Sequence, residues 1–109
     1  MVEYSLSLDL IFNSLADPTR RDIFQRVSKR EHTVNEIASR YKMSLAAVSK
    51  HLKILENARL IRKQRNGRRQ IITASPETLS SVQDYLAQYE HLWSERFNAL
   101  DKYLKKEGE

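Results

Sequence analysis

The chain has 109 residues, enough for one domain with a modest core but near the size at which extra burial through self-association helps. Its 40% apolar and 30% charged composition is that of a soluble globular protein, no apolar run approaches the roughly 18 residues of a membrane-crossing helix, and zero cysteines exclude disulfides, thiolate metal sites and thiol redox sensing. The net charge of +5 is unevenly placed: Ser44 to Arg69 carries eight cations against the single acid Glu56, a local +7 that leaves −2 for the remainder.

Met1-Val2-Glu3-Tyr4 has no basic region, and Ser5, Ser7 and Asp9 break up the apolar residues after it, so no signal peptide is read and a cytoplasmic protein with no membrane partner is expected. A first helix is predicted over Ser5 to Leu15, with Leu8, Ile11, Phe12 and Leu15 at i, i+3, i+4 and i+7. Asp17 then N-caps a second helix that opens on Pro18, runs to about Ser28 and buries Ile23, Phe24 and Val27. Thr33 and Glu36 form a T-x-x-E capping box for a third helix, with Val34, Ile37 and Ala38 inward and an end near Tyr41. Ser44 caps a fourth helix. There Leu45, Val48, Leu52 and Leu55 form a buried stripe, opposite Ala46, Lys50, Lys53 and Asn57, with Ser49 at the margin and Ile54 outside the pattern.

Strands are predicted over Leu60 to Arg65 and Arg68 to Thr73, joined by Asn66-Gly67 in a type I′ turn. Ser75-Pro76-Glu77 starts a final helix reaching about Leu104, whose apolar residues from Leu79 to Leu104 recur at spacings of 3 and 4. At 1.5 Å per residue it extends roughly 43 Å, longer than a compact body of this size needs.

The third and fourth helices meet the steric demands of a helix-turn-helix. Ala38 is small where the helices cross, and Ile37, Tyr41, Met43 and Val48 supply apolar contacts. Lys42 stands where many such turns have Gly, which leaves the backbone of the turn open. A helix to enter a groove, followed by a ribbon tipped Arg65-Asn66-Gly67-Arg68-Arg69, is what a winged helix-turn-helix needs to bind DNA. A merely solvated basic face does not explain why the charge coincides with these two elements.

At this level the chain resembles the ArsR family of bacterial and archaeal winged-helix repressors. The resemblance rests on Leu15-Ala16-Asp17-Pro18-Thr19-Arg20, on Met43-Ser44-Leu45-Ala46-Ala47-Val48-Ser49-Lys50-His51-Leu52-Lys53, on Leu60-Ile61 with the Arg-rich wing, and on a closing helix with Trp93, Arg96, Phe97, Leu100 and Leu104. It implies a mainly α fold with a small β-hairpin, of order ααααββα, as one domain over 1–109. Dimerisation helices are expected at 1–16 and 76–104, the helix-turn-helix at 33–57 and the wing at 60–73. It further implies a homodimeric repressor on a pseudo-palindromic operator, with the fourth helix in the major groove. The apolar seam on the overlong last helix independently favours a two-fold partner over a monomer. The expected dimer interface is Leu8, Ile11 and Phe12 with Leu86, Tyr89, Trp93, Phe97 and Leu100.

Individual residues take roles accordingly. Ser44, Ala46, Ala47, Ser49 and Lys50 are candidates to meet bases, with Lys50 able to donate to guanine O6/N7 and the alanines able to touch a thymine methyl. Lys53, Arg62, Arg65, Arg68 and Arg69 are candidate phosphate or minor-groove contacts, and Thr33 offers a hydroxyl to phosphate. His51 has either a packing or a phosphate-contact role.

Many members of this family sense metals through Cys pairs on the third helix or Asp/His sets on the last. Val34-Asn35-Glu36-Ile37-Ala38 offers no such cluster, and Asp84, His91 and Glu95 share a polar face better explained by solvent exposure, so no metal or cofactor is expected. Tyr85, Tyr89, Trp93, Phe97 and Tyr103 suit dimer packing better than a ligand pocket, and an unknown small-molecule or protein effector stays open. With Gly only at 67 and 108 there is no Gly-rich phosphate loop, and the dispersed histidines argue against an enzyme. An RNA-binding or protein-binding basic module is the remaining alternative; the deep, narrow groove of an A-form duplex excludes a helix.

Overall fold

A computed structural model describes residues 2–108, and side chains from Leu8 onward. The element order is α1 (Val2–Ser14), α2 (Pro18–Lys29), β1 (His32–Thr33), α3 (Val34–Ala38), α4 (Leu45–Asn57), β2 (Ile61–Asn66), β3 (Arg69–Ala74) and α5 (Pro76–Glu107). The chain divides into two compact units, Met1–Thr78 and Leu79–Glu109. The first is a mainly helical winged helix-turn-helix body, and the second is the remainder of α5.

Local chemistry sets the helix starts. Asp17 N-caps α2 by accepting the Arg20 N–H at 3.0 Å, with Pro18 in the first turn, where a missing N–H costs nothing. Thr33 and Glu36 close the capping box of α3. Helix α4 packs against α1, α2, α3 and β2. Its Val48, Leu52 and Leu55 join Ile23, Ile37, Leu60, Ile61 and Ile72 in a core excluded from solvent.

Four expectations change. Leu45, placed in the buried stripe, is 55% exposed, because the first turn of α4 projects beyond the core that Val48, Leu52 and Leu55 fill. Leu15 falls outside α1, which ends at Ser14. A third strand, β1, pairs with β3 to give the antiparallel order β1-β3-β2. The hairpin turn also differs. Asn66 pairs with Arg69, so the loop is Gly67-Arg68, with positive φ at Gly67 (65°) and not at Asn66. That is the φ pattern of type II′ rather than type I′. An Asn66-Gly67 loop would set Arg65 directly across from Arg68; the observed register pairs Arg65 with Gln70 and removes that like-charge contact.

The junction after α4 is a Schellman motif. The Leu60 N–H reaches the Leu55 carbonyl at 3.1 Å and the Arg59 N–H reaches that of Glu56 at 2.9 Å, with Arg59 at φ 62°. This places Leu60 and Ile61 in the core and sends β2 back alongside α4.

Candidate nucleic-acid interface

The candidate interface is built on α3, α4 and the β2–β3 hairpin. Ser44 caps α4 by accepting the Ala47 N–H at 3.1 Å, which fixes where the leading turn begins. The turn between α3 and α4 is tied down by Tyr41, whose Oη donates to Asp22 Oδ2 at 2.5 Å; Arg26 Nε donates to the same oxygen at 3.0 Å. The Tyr41 hydroxyl, then Arg26, hold the Asp22 carboxyl below its usual range, while burial and then the Asp22 bond push the Tyr41 phenol up. Tyr41 is thus a polar tie between α2 and the turn rather than only an apolar contact. Among the described residues positive φ occurs only at Arg59 and Gly67, so Lys42 needs no left-handed backbone and a glycine is not required there.

On α4, Ala46, Ser49, Lys50 and Lys53 are exposed and Ala47 is half-buried. His51 points the other way. Its Nδ1 lies 3.4 Å from Arg20 Nη1 and 4.0 Å from Asp17 Oδ2, with its side chain 21% exposed. Of the two roles the sequence left open, packing fits this geometry. Asp17 is held below the usual aspartate range first by the Arg20 backbone N–H, with the charges of Arg20 and His51 adding to that.

Arg65, Arg68 and Arg69 stand exposed at the wing tip, Arg65 Nε donating to the Gly67 carbonyl at 3.3 Å. Arg62 lies on the opposite strand face from Ile61 and Lys63, where its Nη2 donates to Glu77 Oε2 at 2.7 Å. That carboxylate also accepts from Ser75 Oγ at 2.9 Å. The wing cations therefore split into a free-standing tip and a paired base. Lys63, absent from the sequence-derived set, lines a cleft of about 200 Å³ between α4 and β2 together with Ser49, Lys53 and Glu56. Strand alternation from buried Ile61 is the signal that finds it.

A larger open cleft, about 490 Å³, joins the three elements. Thr33 and Glu36 line it from the N-cap and first turn of α3, Leu45 and Ser49 from α4, and Arg68 and Arg69 from the wing. Glu36 is the acid there, held below the usual carboxylate range chiefly by the Thr33 backbone N–H; its second oxygen lies 3.4 Å from Arg30 Nη1. The leading turns of α4 and the arginines of the tip thus share one surface.

The expected dimerisation residues separate. Leu8 and Ile11 are buried in the chain, whereas Phe12 is 42% exposed. In the second unit Leu86, Tyr89, Trp93, Phe97 and Leu100 are all exposed. The rings of Tyr85 and Tyr89 meet edge-on at 5.3 Å, Trp93 and Phe97 lie 5.7 Å apart, and the Arg96 guanidinium sits 5.7 Å over Trp93. His91 Nε2 lies 3.1 Å from Glu95, and among the described residues no three His, Cys, Asp or Glu side chains gather as a metal site. No described helix is long and apolar enough to cross a membrane.

Comparison with known proteins places this geometry. A family model described as a helix-turn-helix domain matches residues 15–64. The HTH-type transcriptional regulator Rv2034 of Mycobacterium tuberculosis is 31% identical over 103 residues, spanning 94% of each chain. The transcriptional repressor SdpR of Bacillus subtilis is 35% identical over 57 residues, 52% of this chain and 63% of its own length. The crystal structure of the ArsR family transcriptional regulator RHA00566 superposes with a TM-score of 0.76 at 36% identity, covering 83% of this chain and 93% of that one. With the helix-turn-helix, the wing and the full-length likeness in agreement, this chain belongs to the ArsR family of winged helix-turn-helix transcriptional regulators, a DNA-binding and non-enzymatic class.

Proposed function

We propose that the chain acts as a homodimeric repressor on a pseudo-palindromic operator, each protomer laying α4 in the major groove and its wing tip on the flanking backbone or minor groove. The observation that carries this reading is the single surface shared by the leading turns of α4 and by Arg68 and Arg69. Ser44, Ala46, Ala47, Ser49 and Lys50 face the bases. Lys53, Arg65, Arg68 and Arg69 meet phosphates, and the Thr33 hydroxyl, whose oxygen accepts the Glu36 N–H and whose proton bonds the Glu36 carboxylate, donates to one by leaving that carboxylate. Arg62 reaches DNA only by leaving Glu77, and so contributes less than the tip.

The dimer is supported by α5. Leu79, Leu86, Tyr89, Leu92, Trp93, Phe97, Leu100, Tyr103 and Leu104 are 39–60% exposed. At 100° per residue they span roughly 140° of the helix surface, wider than a two-helix seam. Among the described residues of α1, Leu10 is 47% exposed and adds further apolar surface. The repressor role is supported by the likeness to SdpR. Selection from a random duplex pool combined with sedimentation tests the reading. A dimer on a two-fold site with half-sites about 10 bp or a multiple apart is expected; a monomer on an asymmetric site overturns it.

A further inference from the structure

Leu45 is the residue whose placement the sequence pattern gets wrong, and its position carries a consequence for base recognition. It is the first residue of α4, directly after the Ser44 cap, and it is 55% exposed. Among the described residues of the first unit the other exposed large apolar side chains, Leu10 and Phe12, are both on α1. Leu45 is therefore the large exposed apolar side chain of a cleft otherwise lined by half-buried Val34 and by polar and charged residues, with Ser49 one turn on, Glu36 beside it and Arg68 and Arg69 across it. These neighbours leave more than half of it exposed.

In helix-turn-helix proteins the N-terminal residues of the recognition helix are the ones that reach base edges. The major-groove edge offers one apolar group, the C5-methyl of thymine, and an aliphatic side chain is its natural contact. From this we infer that Leu45 is a specificity-determining residue that packs on a thymine methyl in each half-site, and that this contact supplies the burial the free protein lacks. The inference rests on the DNA-binding reading above and adds a base identity to it. It also shifts methyl recognition from the small alanines, Ala46 and Ala47, to the longer side chain that precedes them.

Deoxyuridine tests this without disturbing hydrogen bonding, since it removes only the methyl group. With the duplex selected by the wild-type protein, each thymine is replaced singly by deoxyuridine and affinity is measured. One thymine per half-site is expected to show a loss of about four-fold, the equivalent of one methyl group returned to water. Leu45→Ala and Leu45→Gln are expected to bind the thymine and uracil versions of that site equally, while Leu45→Met, which keeps an apolar contact, retains the preference. Leu45 is exposed, so these variants are expected to fold, and an unchanged thermal midpoint of the free protein verifies it. A wild-type protein indifferent to uracil at every position overturns the inference while leaving DNA binding intact, as does a Leu45→Gln variant with an unchanged thymine preference. Failure of the wild-type protein to enrich any duplex overturns the DNA-binding reading and this inference together.

Discussion

Arg20 Nη1 lies 3.4 Å from Nδ1 of His51, so one guanidinium joins the end of α1 to the recognition helix. Its Nε donates to the Ser14 carbonyl at 2.6 Å and its Nη2 at 3.2 Å to that of Asn13, which also accepts the Ala16 N–H, so the guanidinium caps the carbonyl end of α1. This fork cannot be copied by a point charge. Arg20→Lys is expected to lower unfolding free energy by about 1–2 kcal/mol in urea titration. A lysine variant as stable as the wild type would show that charge, not fork geometry, is what matters there.

Tyr41 holds the helix-turn-helix turn through Asp22. Tyr41→Phe keeps the ring but removes a partly buried hydrogen bond to a charged acceptor. We expect a loss of about 1–2 kcal/mol, read as a lower thermal midpoint. An unchanged midpoint would mean that the ring alone fixes the turn.

Asp17, Asp22, Glu36 and Glu77 all have carboxyls held below their ordinary values, in each case first by a hydrogen bond: from the Arg20 N–H, the Tyr41 hydroxyl, the Thr33 N–H and Glu77's own backbone N–H. A carboxylate lowered on folding stabilises the native state above its unfolded pKa and loses that stabilisation as pH falls through the folded one. Stability is therefore expected to be flat near neutrality and to fall once pH drops below about 4. Urea midpoints at stepped pH measure this, and a midpoint that rose on acidification would contradict the shared direction of the four groups.

Arg59 occupies left-handed backbone at φ 62° to complete the Schellman motif, a conformation that costs a side chain about 1 kcal/mol. Arg59→Gly is expected to stabilise the fold by up to that amount, whereas Gly67→Ala, at φ 65° in the wing turn, is expected to destabilise it similarly. Denaturation of the two variants side by side should move in opposite directions.

Much of this was legible in the sequence because local chemistry decided it. Asp17-Pro18, Thr33 with Glu36, and Ser44 each announce a helix start through a cap that forms whatever the tertiary context. The misses belong to longer range. Strand β1 is two residues long, hidden under the Thr33 cap, and exists only because β3 lies beside it. The turn shift to Gly67-Arg68 depends on which residues oppose across the hairpin, and Asn-Gly chemistry alone does not settle that. Leu45 has the spacing of a core residue, but spacing fixes only direction, and at the first turn the chain leaves more than half of it uncovered. Likewise the partners of Arg62 and His51 sit 15 and 31 positions away in sequence, beyond the reach of any periodicity.

The central claim, that α4 and the wing tip grip one duplex, is tested most directly by the salt dependence of affinity for operator and random DNA in Lys50→Ala and Arg68→Ala. Arg68→Ala is expected to weaken both duplexes alike and to reduce the slope of log K against log salt by about 0.9, one phosphate contact. Lys50→Ala is expected to weaken operator binding by about 1–3 kcal/mol and random DNA much less. Unchanged slopes with Arg68→Ala, together with equal losses on both duplexes for Lys50→Ala, would contradict the account.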